Sequence, residues 1–273
     1  EQMQAAVDAT KAGFEELIRS IPRATGHWRG ERVLEGAFGA HAREEGNGLG
    51  YDTIAAAGNH ANTLHWINND GAVRPGDLVL VDAGVEVDSL YTADVTRTIP
   101  VDGRFSPPQR RVYEAVLAAA DAAFARANEP GCCFKDVHTA AMEVIAARLE
   151  EWGLLPEGVT AADSLAPTGQ YHRRWMVHGT SHHLGLDVHD CAQARREMAM
   201  DALLEPGMVF TIEPGLYFRA DDLKAPEELR GIGVRIEDDV VVREDGRVEY
   251  LTAAFPRTAD EVEAWVSGLI AHD

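Results

Sequence analysis

Residues 75–84 read PGDLVLVDAG, and residues 206–215 repeat the pattern as PGMVFTIEPG. Both copies have a Pro-Gly pair, an apolar run, an acid seven residues after the proline, and a closing glycine. Pro-Gly favours a turn, and the apolar run is typical of a buried strand. Two copies with the acid in register indicate a duplicated architecture. Each half is predicted to contribute one carboxylate-bearing strand, with Asp82 in the first and Glu213 in the second.

A second strand-like segment with its own acid follows each copy. Asp94 lies in YTADVTRT at residues 91–98, and Glu237 lies in GVRIEDD at residues 233–239. A buried carboxylate without a partner is costly, so we expect a cation to neutralise these groups. One such acid alone is more often paired with arginine or caps a turn. Four acids in parallel positions indicate a shared site instead.

Helical patterns alternate with these strands along the chain. Apolar residues at helical spacing predict four helices, at residues 7–21 (closed by Pro22), 33–41, 107–129 and 134–152. Short β-like runs occur at residues 53–57, 78–81, 91–99, 209–212, 233–242 and 248–251. Helices in pairs and strands in groups predict an α+β fold, and we expect residues 1–273 to form a single domain.

The composition excludes several classes of protein. The formal net charge is −20 at pH 7, which argues against a nucleic-acid partner, because phosphate binding needs a surplus of lysine and arginine. No apolar run is long enough for a membrane span, and the charged first twenty residues do not resemble a secretory signal. The three cysteines do not form a disulfide framework, so we expect a reducing, cytoplasmic location.

Histidines add neutral nitrogen ligands and proton-transfer groups to this set of carboxylates. Residues 178–190 read HGTSHHLGLDVHD and contain four histidines. Four carboxylates and one imidazole form an oxygen-rich set without thiolate, which suits manganese, magnesium, cobalt or zinc. Bridging carboxylates could hold two ions about 4 Å apart, an arrangement that generates a hydroxide and polarises a carbonyl. The predicted chemistry is hydrolysis, since no serine elbow, Walker loop or Cys-x-x-Cys pair offers another mechanism.

The order of these motifs resembles the pita-bread-fold metallopeptidases, which include methionine aminopeptidase, prolidase and aminopeptidase P. The resemblance covers nearly the whole chain and rests on five stretches, at residues 81–84, 93–98, 178–190, 211–217 and 231–239. Within the family, the HGTSHHLGLDVHD and IEPGLY motifs look most like aminopeptidase P, the Xaa-Pro aminopeptidase.

The resemblance implies a pita-bread fold with two pseudo-symmetric halves and two divalent metal ions. Manganese is the expected metal, with cobalt or zinc as alternatives. The implied ligands are Asp82, Asp94, His182, Glu213 and Glu237, of which Asp94 and Glu237 would bridge both ions. The implied catalytic residues are His178, His189 and Glu213.

The resemblance also gives each catalytic residue a role. Glu213 would handle the proton of the attacking hydroxide. His189 would contact the scissile carbonyl and its developing oxyanion. His178 would bind and orient the substrate beyond that bond.

Three further residues are expected to bind substrate. His65 precedes Asp82 by seventeen residues, a placement similar to that of the family's pocket histidine. Tyr217 is expected to line the pocket. Arg235 shares a strand face with Glu237, so it would orient that carboxylate or bind substrate. His183 and the cysteines are expected to lie outside the reacting centre.

Two departures from the family pattern affect the expectations. Asp82 and Asp94 are twelve residues apart, one more than in many relatives, which predicts a bulge or a longer turn near residues 87–89. Relatives of the aminopeptidase P and prolidase types usually carry an extra N-terminal domain. This chain is expected to lack that domain, and with it part of the substrate entrance and oligomer contacts.

The sequence therefore predicts a metal-dependent aminopeptidase that cleaves the N-terminal Xaa-Pro bond of peptides whose second residue is proline. Prolidase, which is confined to Xaa-Pro dipeptides, is the alternative, and the long histidine motif disfavours methionine aminopeptidase. A metal-free peptide-binding module or a creatinase-type hydrolase of the same fold should have lost carboxylate ligands. We expect no nucleic-acid or membrane partner, and a homodimer is an open alternative to a monomer.

Overall fold

The computed structural model describes residues 1–271 and has the α+β architecture predicted from the sequence. Its helices are α1 (Gln2–Arg19), α2 (Ile21–Thr25), α3 (Gly30–Glu45), α4 (Pro107–Ala127), α5 (Phe134–Glu151), α6 (Ala161–Leu165) and α7 (Ala259–Ile270). Its strands are β1 (Gly48–Leu49), β2 (Ile54–Ala57), β3 (Leu78–Ala83), β4 (Val85–Glu86), β5 (Val95–Pro100), β6 (Val209–Ile212), β7 (Gly215–Tyr217), β8 (Gly233–Arg235), β9 (Asp238–Val242) and β10 (Val248–Tyr250). Short 3₁₀ helices occur at Gly58–Asn62, Tyr171–Arg174, Arg196–Met198 and Glu227–Leu229.

The first half contains an antiparallel sheet in the order β2-β3-β5. Asp82 pairs with Thr96 in this sheet, and the same register continues through the Glu86–Thr92 bridge. The backbone of Val87 and that of Tyr91 close the hairpin, with Leu90 in the left-handed region at φ 69°. The twelve-residue spacing is therefore taken up by the longer turn, and the ladder needs no bulge.

The second half repeats the hairpin with an interruption. β6 pairs with β9, with Ile212 opposite Asp238, and β7 pairs with β8, with Gly215 opposite Arg235. The β6–β9 and β7–β8 pairs have the same register. The predicted strand 233–242 is therefore a single hairpin arm that is interrupted at residues 236–237. The two halves meet where Thr96 pairs with Glu237.

Pairs of helices cover each half. α1 packs on α3 and α4 packs on α5, while α4 also contacts β6, β7 and β8. Phe14 of α1 meets Phe38 of α3 edge to face at 5.8 Å. A Cβ at Gly13 would lie 2.7 Å from the Phe38 ring, so this close helix crossing requires glycine. Since α3 also contacts β2, each helix pair lies against the sheet of its half.

Several predicted boundaries differ from the structure. The first helix ends at Arg19, two residues before the predicted end. Pro22 does not close it but lies in the first turn of α2, a position that proline tolerates. The predicted strand 91–99 is regular only from Val95 onward, with a single bridge at Thr92 before it. α7 was not predicted at all. Within residues 1–271, no helix combines the length and apolar character needed to cross a lipid bilayer.

Candidate metal centre

Asp82 and Asp94 lie on the same face of the first hairpin. Asp82 pairs with Thr96 across the ladder, and Asp94 is two residues from Thr96, so strand periodicity turns all three side chains the same way. The hydroxyl of Tyr51 lies 2.8 Å from Asp82 Oδ1 and 2.6 Å from Asp94 Oδ1. A phenol has one proton to donate, so Tyr51 links the two carboxyl groups but cannot donate to both at once.

Glu213 and Glu237 lie at the interruption of the second hairpin. The register on both sides of the break places these two residues opposite each other. Thr96 donates a hydrogen bond of 2.6 Å to Glu237 Oε2. The junction between the halves therefore brings Glu237 next to the first pair of carboxylates.

His182 reaches the same point from an extended segment that runs along β6. The backbone N–H groups of Thr211 and Glu213 donate to the carbonyls of His182 and Thr180 at 2.9 Å and 2.8 Å. His182 Nε2 lies 3.2 Å from Asp94 Oδ2 and 3.5 Å from Glu213 Oε1. Its Nδ1 lies 3.0 Å from the carbonyl of His183, a bond that leaves Nε2 free for a metal.

Burial gives the cluster unusual protonation properties. Burial and the neighbouring Asp94 raise the pKa of Glu237 well above its usual range. Burial raises the pKa of Glu213 to about 8, with Asp94 adding to the effect and His182 opposing it. Burial of His182 lowers its pKa, but Asp94 and Glu213 outweigh this and raise it to about 9. The cluster thus has more negative charge than its cations neutralise.

The donor set fits a divalent cation. One ligand atom from each of Asp94, His182 and Glu237 lies within 4.8 Å of the others. Asp82 and Glu213 line the same cavity of 420 Å³. Hard or borderline ions prefer such carboxylate and imidazole donors, and an ion would supply the positive charge that these buried acids need.

Arg235 lies behind the carboxylates. Its side chain is buried, and Nη2 donates to Asp82 Oδ2 at 2.6 Å. Its Nε donates to Thr96 Oγ1 at 3.2 Å, and Thr96 in turn donates to Glu237. Arg235 lines the cavity, but these bonds favour the carboxylate-orienting role over direct contact with substrate.

Tyr217 connects Arg235 to His178. Arg235 Nη1 donates to the Tyr217 hydroxyl at 3.1 Å, and that hydroxyl lies 2.7 Å from His178 Nε2. Burial and the charge of Arg235 lower the pKa of His178 to about 3, which favours a neutral imidazole. Its Nδ1 donates to the Gly179 carbonyl at 2.7 Å, so Nε2 accepts the proton of Tyr217. The cavity wall includes His178, while Tyr217 lies behind it rather than in the lining.

His65 and His189 complete the cavity wall together with Ile54, Leu64, Ile67 and Val188. The ring of His189 stands perpendicular to that of His182 with centroids 4.6 Å apart. Burial and the neighbouring His182 lower the pKa of His189, which favours a neutral imidazole. The cavity wall therefore combines the cluster of carboxylates and His182 with further histidines and apolar side chains.

Sequence reasoning missed Tyr51 and Thr96. Thr96 carried a signal, because it lies two residues after Asp94 on a strand and therefore shares its face. Tyr51 lies in an irregular segment before β2 and carried none. His183 lies away from the centre, with its ring stacked on Phe134 at 4.5 Å. The three cysteines are free thiols, and none lines the cavity described above.

Comparison with known proteins agrees with this geometry. The sequence profile of metallopeptidase family M24 matches residues 1–244. The chain belongs to metallopeptidase family M24. Among individual relatives, Xaa-Pro aminopeptidase 2 of Streptomyces coelicolor is 55% identical over 266 residues, which are 97% of this chain and 55% of the relative.

Solved structures confirm the pita-bread fold. Aminopeptidase PepP of Pseudomonas aeruginosa superposes with a TM-score of 0.89 at 37% identity, covering 99% of this chain and 59% of that one. Zinc-substituted aminopeptidase P of Escherichia coli in complex with product gives a TM-score of 0.87 at 34% identity, covering 98% and 58%. The chain thus spans little more than half the length of these three proteins.

Proposed function

We propose that this chain forms the catalytic domain of an Xaa-Pro aminopeptidase, which hydrolyses the bond between an N-terminal residue and a following proline. The proposal depends on one observation: carboxylates from both halves and one imidazole meet in a single cavity. The similarity to Xaa-Pro aminopeptidases supports the choice of substrate. The Thr96–Glu237 pairing between the halves supports a single catalytic domain for residues 1–273.

We propose that Asp82, Asp94, His182, Glu213 and Glu237 would hold two divalent ions. Manganese is the proposed metal, with cobalt or zinc as alternatives, because the donors are mainly carboxylate oxygens. When bound, such ions lower the pKa of a water molecule and polarise the scissile carbonyl. The similarity to a zinc-substituted aminopeptidase P is consistent with a site that accepts more than one metal.

The chain's own residues would then orient the substrate and move protons. Glu213, whose Oε1 lies 3.5 Å from His182 Nε2 in the same cavity, would accept a proton at a carboxylate oxygen and release it to the leaving amine. His189, as a neutral imidazole, would donate an N–H to the substrate carbonyl. His178, held by Tyr217 at 2.7 Å, would bind and orient the substrate beyond that bond, and His65 would bind substrate in the pocket.

Location and assembly are further proposals. Three free cysteines favour a reducing compartment, and we propose the cytoplasm. For the oligomeric state, the prediction is still a monomer with a homodimer as the alternative. Peptides with proline at the second position are the proposed partners.

Steady-state rates on matched Xaa-Pro dipeptides and Xaa-Pro-Xaa tripeptides test the proposal. An aminopeptidase should cleave the tripeptides, and the released N-terminal amino acid should be the first product. Activity confined to dipeptides would support prolidase instead. Removal of metal by a chelator should abolish hydrolysis and manganese should restore it, whereas unchanged hydrolysis by metal-free protein would contradict the proposed mechanism.

A further inference from the structure

A further buried carboxylate, that of Glu31, lies outside the candidate metal centre, at the first turn of α3. Glu31 is completely buried. Its Oε1 accepts a hydrogen bond from the backbone N–H of Ala57 at 2.8 Å and lies 2.7 Å from His60 Nδ1. Its Oε2 accepts from the backbone N–H of Gly71 at 2.6 Å and from Trp66 Nε1 at 3.0 Å. A carboxylate has about four acceptor positions, so these four donors use its full capacity.

All four donors belong to one loop and its entry strand. We call residues 58–71 the pocket-wall loop; Ala57 immediately precedes it and Gly71 ends it. Glu31 also donates its own backbone N–H to the carbonyl of Gly71 at 3.0 Å. A Cβ at Gly71 would lie 2.8 Å from Glu31 Oε2 and 2.6 Å from the His60 ring. The loop therefore closes tightly around this one side chain.

The pocket-wall loop carries part of the cavity described above. Leu64, His65 and Ile67 line that cavity, and they flank Trp66, whose indole is bonded to Glu31. The Trp66 ring stacks on His60 with centroids 3.9 Å apart. Farther along, the Asn69 side chain accepts from the N–H of Ala55 at 2.9 Å and donates to the carbonyl of Thr53 at 2.8 Å. Each of these bonds restrains the segment that presents His65.

We infer that Glu31 is a positioning residue, which holds the pocket-wall loop so that His65, Leu64 and Ile67 line the same cavity as the proposed metal ligands. The inference rests on the proposed function for the role it gives His65. The carboxylate itself is required, because an amide in its place would turn an NH₂ group toward two N–H donors. That replacement leaves buried donors without acceptors while hardly changing the volume of the side chain.

Glu31→Gln is therefore the matched test, and Glu263→Gln is its control. Glu263 also accepts the backbone N–H of a loop residue, Phe105, at 3.0 Å, but it lies outside the cavity lining. With a proline-containing tripeptide, Glu31→Gln should lower kcat/KM about tenfold or more, mainly by raising KM, while metal content stays as in the wild type. Hydrogen exchange measured by mass spectrometry should become faster in residues 58–71. Glu263→Gln should show neither change in this loop nor a change in KM.

A double-mutant cycle separates positioning from general destabilisation. If Glu31 acts through the loop, Glu31→Gln should add little to the loss already caused by His65→Ala. Fully multiplicative losses, or a Glu31→Gln protein with wild-type KM and wild-type exchange in residues 58–71, would overturn the inference. Should Glu31→Gln fail to fold, Trp66→Phe removes a single donor and should give a smaller shift of KM and exchange in the same direction. Wild-type behaviour of Trp66→Phe would then count against the inference.

The results that would contradict the proposed function differ from those that would contradict the role of Glu31. If the wild-type chain with metal cleaves no Xaa-Pro peptide, the proposed function fails, and the exchange data alone decide whether Glu31 anchors the loop. Faster exchange confined to residues 58–71 in Glu31→Gln would still support anchoring, and unchanged exchange would refute it.

Discussion

Thr96 and Glu237 form the contact at which the two halves of the chain join. Their backbones pair as an isolated antiparallel bridge, and the Thr96 hydroxyl donates to Glu237 Oε2 at 2.6 Å. Thr96 in turn accepts from Arg235 Nε at 3.2 Å. Since one hydroxyl both fixes a proposed metal ligand and joins the halves, this position is a sensitive place to test the centre.

Thr96→Val removes the hydroxyl and keeps the branched shape of the side chain. Without its donor, Glu237 is held less firmly, so we expect metal affinity to fall about 10-fold to 100-fold, as is typical when a residue behind a metal ligand is changed. Titration of the metal-free protein with manganese, followed calorimetrically, measures this. Thr139→Val is the control, because its hydroxyl bonds only to the Lys135 carbonyl on an exposed helix face. Equal affinities in both variants would refute the role given to Thr96.

Asp94→Ala and Glu237→Ala should each remove a proposed metal ligand. We expect activity to fall by about a hundredfold or more, since the loss of a ligand should exceed the loss of a residue behind one, and metal content per chain should fall with it. Elemental analysis of reloaded protein together with steady-state rates measures both. His183→Ala should be mild, because His183 stacks on Phe134 away from the centre. Near-normal turnover in either carboxylate variant would argue strongly against a dinuclear site.

The pH dependence of stability should differ between metal-free and metal-loaded protein. The folded chain holds protons on Glu213 up to a pKa of about 8 and on His182 up to about 9, against ordinary values of 4.5 and 6.5. Both values are raised, so each group's contribution is complete below its unfolded pKa and is lost as the pH rises through its folded pKa. Above about pH 7 the histidines with a lowered pKa, such as His178 and His189, are neutral in the folded and the unfolded chain, so the free energy of unfolding of the metal-free protein should fall between about pH 7 and about pH 9.

Metal binding should oppose this loss, because ions bind the deprotonated ligands. Melting temperatures of chelated and manganese-loaded protein across the same pH range measure the difference. The stabilisation by manganese should be larger at the alkaline end. A chelated protein whose melting temperature rises with pH over this range would contradict the assigned protonation states.

Asp238, the neighbour of Glu237, has a structural role. It is buried and bonded to Arg97 at 2.6 Å and to Arg257 at 2.9 Å. Burial alone would raise its pKa, but the two arginines outweigh this effect and lower the pKa. Asp238→Asn leaves the buried Arg97 without its charge partner, so we expect a loss of about 3 to 5 kcal/mol in the free energy of unfolding.

Urea denaturation measures this loss, and the pH dependence of the free energy of unfolding is a second test. Since the folded pKa of Asp238 is depressed, its contribution is present above the unfolded pKa and is lost as the pH falls through the folded one. The variant should therefore lose less stability on acidification than the wild type. Asp245→Asn, in an exposed pair with Arg247, should leave both measurements unchanged. Equal effects of the two substitutions would show that the buried pair has no special role.

Local spacing accounts for the parts of the fold that could be predicted. The helices near residues 107–129 and 134–152 were found because apolar periodicity and a Ser-Pro start are local features, and the Gln109 side chain indeed accepts from the N–H of Ser106 at 2.9 Å. The break between β8 and β9 could not be found, because it depends on Glu237 leaving its ladder to pair with Thr96. α7 was missed although Glu261 and Thr258 give it a capping box.

The sequence by itself determined which side chains can form the centre. Acids at matching places in two strand repeats, and a histidine-rich segment between them, are local patterns whose chemistry can be read without the fold. Only the tertiary structure decided which atoms meet. The contact between Thr96 and Glu237 spans 141 residues and that between Tyr51 and Asp82 spans 31. Such contacts, like the four bonds of Glu31, depend on how strands and loops pack in space, and no local spacing encodes that packing.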